Sequence, residues 1–341
     1  MKKILVVSVN WLGDSIFSLP VFENLKRACP DSYIGVVAPG YLKEIYQACP
    51  AVDAFYALSD RAFFKNVAGK WEIVRSLKKE SFQQAIFLHR SFTKTLICWL
   101  GGIPERIGYR RAKSNGLLTH AVEPVDPGTV HRADYYAGVL AGAGIPVPVK
   151  KYRIVIPQEA AEQAQRILQD LGISRQAYVC MHTSANWDPK RWPQGHFARL
   201  ADMLIKENDL KILFTGSNKD SGLIRQIISL MRASKAAFSL AGKTSLLTLA
   251  ALARSARCVI SADSGPLHLA AAAGSRTVAL FGPTSEKITG PRGIGESRVV
   301  RASVDCVTPC YDQACVSSRC MESITVEDVY EAAQDFCRQS A

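Results

Sequence analysis

The sequence lacks any run of the ~18 apolar residues that a membrane-spanning helix needs, so it does not read as an integral helical membrane protein. It has no low-complexity tract and no short-period repeat, which argues against a fibrous or solenoid chain. The turn after its first apolar run is Asn10-Trp11-Leu12-Gly13-Asp14-Ser15 rather than G-x-G-x-x-G, so the dinucleotide fingerprint is missing there. That missing fingerprint argues against a sugar-nucleotide epimerase or dehydrogenase. A recognisable nucleic-acid-binding motif is also missing, which weighs against a basic RNA-binding protein without catalysis.

Negative charge is the scarcer kind. The 341 residues hold 30 Asp/Glu against 42 Lys/Arg, a formal net charge of +12. Residues 1–156 carry 21 basic and 12 acidic side chains, whereas residues 157–341 carry 21 and 18. The basic first half suits a phosphorylated or acidic molecule, an anionic membrane surface or nucleic acid, although basic proteins are also common for solubility alone. The N-terminal MKKILVVSVN has two lysines and a short apolar run, but Gly13-Asp14 stand where a signal would end in small residues. It reads as a buried first strand, with the protein expected in the cytosol.

With 48% hydrophobic and 21% charged residues, the chain has an ordinary globular composition, and its length suggests two domains. Short apolar runs alternate with helical patterns in both halves, which predicts two doubly wound parallel sheets. Expected strands are 4–9, 33–38, 54–58 and 84–88 in the first half, and 178–182, 211–215, 237–240, 258–261, 277–281 and 298–301 in the second. Residues 14–28 read as one helix, residues 101–128 as loops, and residues 147–157 as the linker. The expected domains are 1–156, 157–324 and a C-terminal helix, 325–341, packing back on the N-terminal domain. Two such domains would put a cleft between them, with ligands at the carboxyl ends of the strands.

Three segments could carry chemistry. Ser261-Ala262-Asp263-Ser264-Gly265-Pro266-Leu267-His268 runs from a strand end into an alanine-rich helix, where Ser264 and Gly265 offer free backbone N–H groups to an anion. Asp263 would repel a phosphate but could bind hydroxyls of the group attached to it, and His268 lies one turn past Ser264. Equally, Asp263 or Ser264 is a plain N-cap and His268 a packed core residue. The segment from His182 through Thr183 and Ser184 to Lys190 places hydroxyls and a compact cation at another strand end; the alternative is a solvated loop. In the first turn, Asp14 is either a general base or a helix cap. Gly216-Ser217-Asn218-Lys219-Asp220 and Gly242-Lys243-Thr244-Ser245 are weaker strand-to-helix turns, with Asp220 a candidate for a ribose hydroxyl.

Together, WLGDSIFSLP, HRADYYAGVL, HTSANWDPKRWP, GSNKD, LAGKTSL and SADSGPLHLAAAAGSRTVALFGPTS resemble the heptosyltransferases of glycosyltransferase family 9, of the second type, over nearly the whole chain. The resemblance implies a GT-B fold of two Rossmann-like domains facing a cleft. It implies metal-independent, inverting transfer of heptose from ADP-L-glycero-D-manno-heptose to the inner core of lipopolysaccharide, with no cofactor. Asp14 matches the base, Lys190 the pyrophosphate lysine, Asp263 the heptose contact and Ser264-Gly265 the phosphate turn. Asp220 falls near the ribose and Lys243-Thr244 near the adenine. An apparent one-residue insertion before Lys190 shifts Thr183–Ala185 from the family pattern. The acceptor is phosphorylated and acidic, so Arg90, Lys94, Arg106, Arg110, Arg111 and Lys113 of the basic half are its candidate ligands, with peripheral contact to the inner face of the inner membrane. Another nucleotide-sugar or another acceptor is the alternative within this reading, and a basic membrane-binding protein without catalysis is the alternative outside it. Among ten cysteines, Cys306, Cys310, Cys315 and Cys320 cluster with C-x3-C-x4-C-x4-C spacing. Free thiols, a structural metal and disulfides all stay open for them.

Overall fold

The computed structural model describes residues 1–58, 67–113 and 115–338. The chain divides into two compact units, Met1–Val155 and Ile156–Ala341. The last three residues of the expected C-terminal piece lie outside the described residues.

The first unit is a parallel sheet of six strands: β1 (Lys3–Val7), β2 (Tyr33–Pro39), β3 (Ala54–Leu58), β4 (Gln84–Phe87), β5 (Glu105–Tyr109) and β6 (His120–Val122), in the order β3-β2-β1-β4-β5-β6. Ile4, Leu5, Val6 and Val7 are fully buried, as a central strand covered on both faces requires. The second unit repeats the arrangement with β7 (Tyr178–His182), β8 (Lys211–Thr215), β9 (Ala237–Ser239), β10 (Val259–Ala262), β11 (Thr277–Leu280) and β12 (Ser297–Val300), in the order β12-β11-β10-β7-β8-β9. Each sheet winds outward from its first strand in the 3-2-1-4-5-6 order of a Rossmann fold. The order reverses between β1 and β4 in one unit and between β7 and β10 in the other, and those strand ends are where a doubly wound sheet binds ligands. Among the described residues, no helix is long and apolar enough to cross a membrane.

Several expectations need correction. Residues 101–128 are not all loop: β5 and β6 extend the first sheet. β5 opens on the charged Glu105 and Arg106, and β6 has three residues at the sheet edge, so neither shows the apolar run of an inner strand. The single helix expected over 14–28 is two, Leu12–Phe17 and Leu19–Ala28, because Pro20 has no N–H and starts the second one. Helices Phe92–Leu100 and Gln158–Asp170 fall where the sequence was assigned nothing regular. Part of the expected linker is tied to the first unit: Tyr152 is fully buried, Asn24 exchanges hydrogen bonds with Val149, and Val155 N donates to Ala48 O at 2.8 Å.

The C-terminal helix, Val326–Cys337, belongs to the second unit's core. Its Val326, Val329, Ala333 and Phe336 join Trp192, Phe197, Leu200 and Ile260 in one buried cluster. Trp192 Nε1 also donates to Ile324 O at 2.9 Å, just ahead of the helix. Replacing Phe336, 2% exposed, by Ala should therefore cost the second unit about 3–5 kcal/mol in urea unfolding. An unchanged midpoint would mean that the helix does not belong to that core.

Candidate active site

The second unit gathers its polar residues at the switch point. Asp263 follows β10, is 6% exposed, and is surrounded by donors. Lys190 Nζ lies 2.8 Å from Oδ2, His268 Nε2 lies 3.1 Å from Oδ1, and Thr289 Oγ1 donates to Oδ2 at 3.2 Å. Burial by itself would raise the Asp263 pKa, but the His268 hydrogen bond and the Lys190 charge outweigh it and hold the group well below the usual carboxylate range. Lys190 ends the short turn Asp188–Lys190 and lies over the Trp187 ring at 5.1 Å.

Ser264 is the N-cap of helix Gly265–Ala272. Its Oγ accepts from Leu267 N at 3.3 Å and lies 2.9 Å from Ser261 Oγ. Between cap and ligand group, Ser264 thus takes the cap and Asp263 does not. His268 is neither exposed nor merely packed, since it is 2% exposed and bonds Asp263.

At the end of β7, His182 is buried between Thr215 Oγ1 at 3.3 Å and Ser184 Oγ at 3.2 Å. Thr183 Oγ1 and Thr284 Oγ1 are both buried and find no hydrogen-bond partner among the described residues. Further along the sheet, Asp220 Oδ2 accepts from Ser217 N and Ser217 Oγ, each at 2.7 Å, in a capping box. Lys243 is exposed and Thr244 half-buried, in the turn where Gly242 adopts a φ of 69°.

The first unit's switch point holds Asp14. Trp11, not Asp14, is the N-cap residue of helix Leu12–Phe17 and makes no side-chain cap, so the carboxylate is not used as a helix cap. Its Oδ1 accepts instead from Tyr136 OH at 2.8 Å. Nearby lies a cavity of about 500 Å³ lined by His89, Arg90, Arg111, Arg132, Tyr135 and Tyr136, among others. Arg111 Nη1 donates to Arg90 O at 2.6 Å, which ties the two basic loops together.

The structure brings Arg90 and Arg111 to this cavity and directs the other candidates elsewhere. Lys94 is buried, with Nζ donating to Ser8 O at 3.0 Å and Asn10 Oδ1 at 3.1 Å. Arg106 donates to Leu117 O at 2.6 Å and Pro104 O at 2.9 Å. Arg110 pairs with Glu123 at 2.8 Å, and Lys113 is exposed away from the cavity lining. Thr289, Arg132 and Tyr136 are not among the sequence candidates: each comes from a segment distant in sequence, and HRADYYAGVL contributes only to the family resemblance, with no role for a single residue. All ten cysteines are unpaired thiols, and no group of three or more metal-ligating side chains comes together among the described residues.

Residues 70–320 match the sequence family described as glycosyltransferase family 9 (heptosyltransferase). The chain belongs to glycosyltransferase family 9. Like other family 9 members it is a glycosyltransferase, and its two Rossmann-like sheets are those of the GT-B fold. It is 30% identical over 312 residues to lipopolysaccharide heptosyltransferase 2 of Salmonella typhimurium, covering 88% of each chain. The structure of E. coli ADP-heptose lps heptosyltransferase II is similar with a TM-score of 0.83 at 24% identity, covering 99% of this chain and 98% of the other. E. coli heptosyltransferase WaaC with ADP is similar with a TM-score of 0.76 at 16% identity, covering 98% and 99%.

Within this family 9 chain, burial lowers the His182 pKa from 6.5 to about 4. The unfolded chain therefore takes up a proton that the folded one refuses, and stability is lost as pH falls from near 6.5 to about 4. Between pH 7 and 4.5 the wild type should lose about 2 kcal/mol more than His182→Gln in urea unfolding. Parallel pH profiles would show that His182 protonates freely in the folded state.

Proposed function

We propose that this glycosyltransferase moves a heptose from ADP-L-glycero-D-manno-heptose to the inner core of lipopolysaccharide, with inversion at the anomeric carbon. The observation that carries the reading is the buried Asp263 held by Lys190 and His268 at the second switch point. A carboxylate so placed binds sugar hydroxyls, and the adjoining helix N-terminus at Ser264–Gly265 attracts phosphate.

In this reading the second unit holds the donor. An ammonium has three donors, so Lys190 can keep Asp263 and still reach a pyrophosphate oxygen. Thr183, with its unpartnered buried hydroxyl, and Ser184 add donors to the same phosphates. Asp220 would face the ribose, and Lys243 and Thr244 the adenine. The first unit holds the acceptor, with Arg90, Arg111 and Arg132 meeting its phosphates or carboxylates. The basic surface of that unit would rest against an anionic membrane at the cytoplasmic face.

Asp14 takes the proton of the acceptor hydroxyl as its oxygen forms the new bond to the anomeric carbon. The bond to ADP breaks on the opposite face, and the charge that grows on the departing diphosphate is met by Lys190 and the helix N–H groups. The proton ends on Asp14 and the electron pair on ADP, so the chain's own groups balance the step.

Thermal unfolding with ADP, UDP, GDP and NAD at one concentration tests the donor. ADP at about 100 times its dissociation constant should stabilise the protein by about 2.7 kcal/mol, and Lys190→Ala should lose most of that shift. A shift from UDP or GDP instead of ADP would sink the ADP-heptose reading. For the base, Asp14→Asn should keep the ADP shift and slow turnover by ~100-fold or more, read as ADP released from ADP-heptose with a lipopolysaccharide-core acceptor. Wild-type turnover would remove Asp14 from the mechanism.

A further inference from the structure

The turn that carries Asp14 is met by a group 122 residues further along the chain. Tyr136 OH donates to Asp14 Oδ1 at 2.8 Å, the side-chain hydrogen bond that Asp14 makes among the described residues. Tyr136 is 6% exposed and lines the 500 Å³ cavity with Arg90, Arg111 and Arg132. It therefore joins the cavity wall to the carboxylate.

The phenol is firmly supported. Its ring meets Tyr135 edge-on at 5.6 Å, and Tyr135 is in turn tilted against Tyr109 at 4.8 Å. Its helix, Arg132–Gly142, is capped by His131, whose ring accepts from Ala133 N at 3.1 Å. The same His131 ring packs edge-on against Phe17 at 5.4 Å, and Phe17 is the last residue of the helix that holds Asp14. The two helices, and so the two bonded side chains, are held in one register.

We infer that Tyr136 is the positioning residue of the base. It fixes the Asp14 carboxylate through Oδ1 and leaves Oδ2 to receive the acceptor proton. The inference rests on the proposed role of Asp14 as base. Burial, and then the Asp14 charge, push the Tyr136 phenol well above its ordinary value, so the tyrosine stays the donor throughout.

Loss of this bond frees the carboxylate to rotate, and a misplacement of about 1 Å costs up to about 100-fold.

Two other titratable groups interact with Asp14, Tyr46 from Lys43–Gln47 and His89 after β4, and Arg132 interacts with Tyr136. The test is Tyr136→Phe, which keeps the ring and its packing. Its kcat should fall about tenfold, with the donor KM and the ADP-induced thermal shift unchanged. In an Asp14→Asn background the same change should have no further effect on the residual rate. Tyr136→His, whose ring N–H can donate, should recover part of the rate.

A wild-type kcat in Tyr136→Phe would overturn the inference. So would an equal loss with and without the Asp14 carboxylate, which would make the tyrosine act on its own. Wild-type turnover in Asp14→Asn alone would instead remove the base itself, and this inference with it.

Discussion

The second unit depends on a buried negative charge. A carboxylate as enclosed as Asp263 is costly unless paired, and each of its partners is supplied by a different piece of chain. Lys190 comes from the loop after β7, His268 from the helix after β10, and Thr289 from the helix after β11. Removing one partner would leave a charge stranded in a place that water reaches poorly. The constraint therefore draws three segments, one loop and two helices, to one point at the carboxyl edge of the sheet.

The two units use one topology for opposite electrostatics. In the second unit, a cation and a histidine close around an acid, beside the start of a helix. In the first unit, an acid that accepts from a phenol stands beside a cavity lined by three guanidiniums. The second unit's arrangement suits a ligand that carries both hydroxyls and phosphate, and the first unit's suits an anionic ligand. A group-transfer enzyme needs such a division, because its two substrates must be recognised separately before they react.

The sheets and the polar cluster after β10 were legible in the sequence because both are local. Tyr178–His182 and Lys211–Thr215 are unbroken apolar strands with clear ends, and Asp263, Ser264 and His268 lie within six residues of one another. Structure at the sheet's margin was not legible: β6 has three residues, and a strand at an edge needs no apolar run. Side-chain direction was not legible either. Lys94 and Arg106 looked like ligands for an acceptor, yet both turn inward to cap carbonyl oxygens, which no count of charges reveals. Tyr136, Arg132 and Thr289 reach their places through tertiary packing alone.

The helix Val326–Cys337 gives the molecule an unequal schedule of assembly. The first unit has its last strand by Val122 and its last helix by Gly142, so it can close while the rest is still being translated. The second cannot do so: Trp192 waits for a carbonyl 132 residues downstream, and the β11–β12 end of its sheet keeps an uncovered apolar face until that helix emerges. During that interval the nascent second half is the part a chaperone would have to shield.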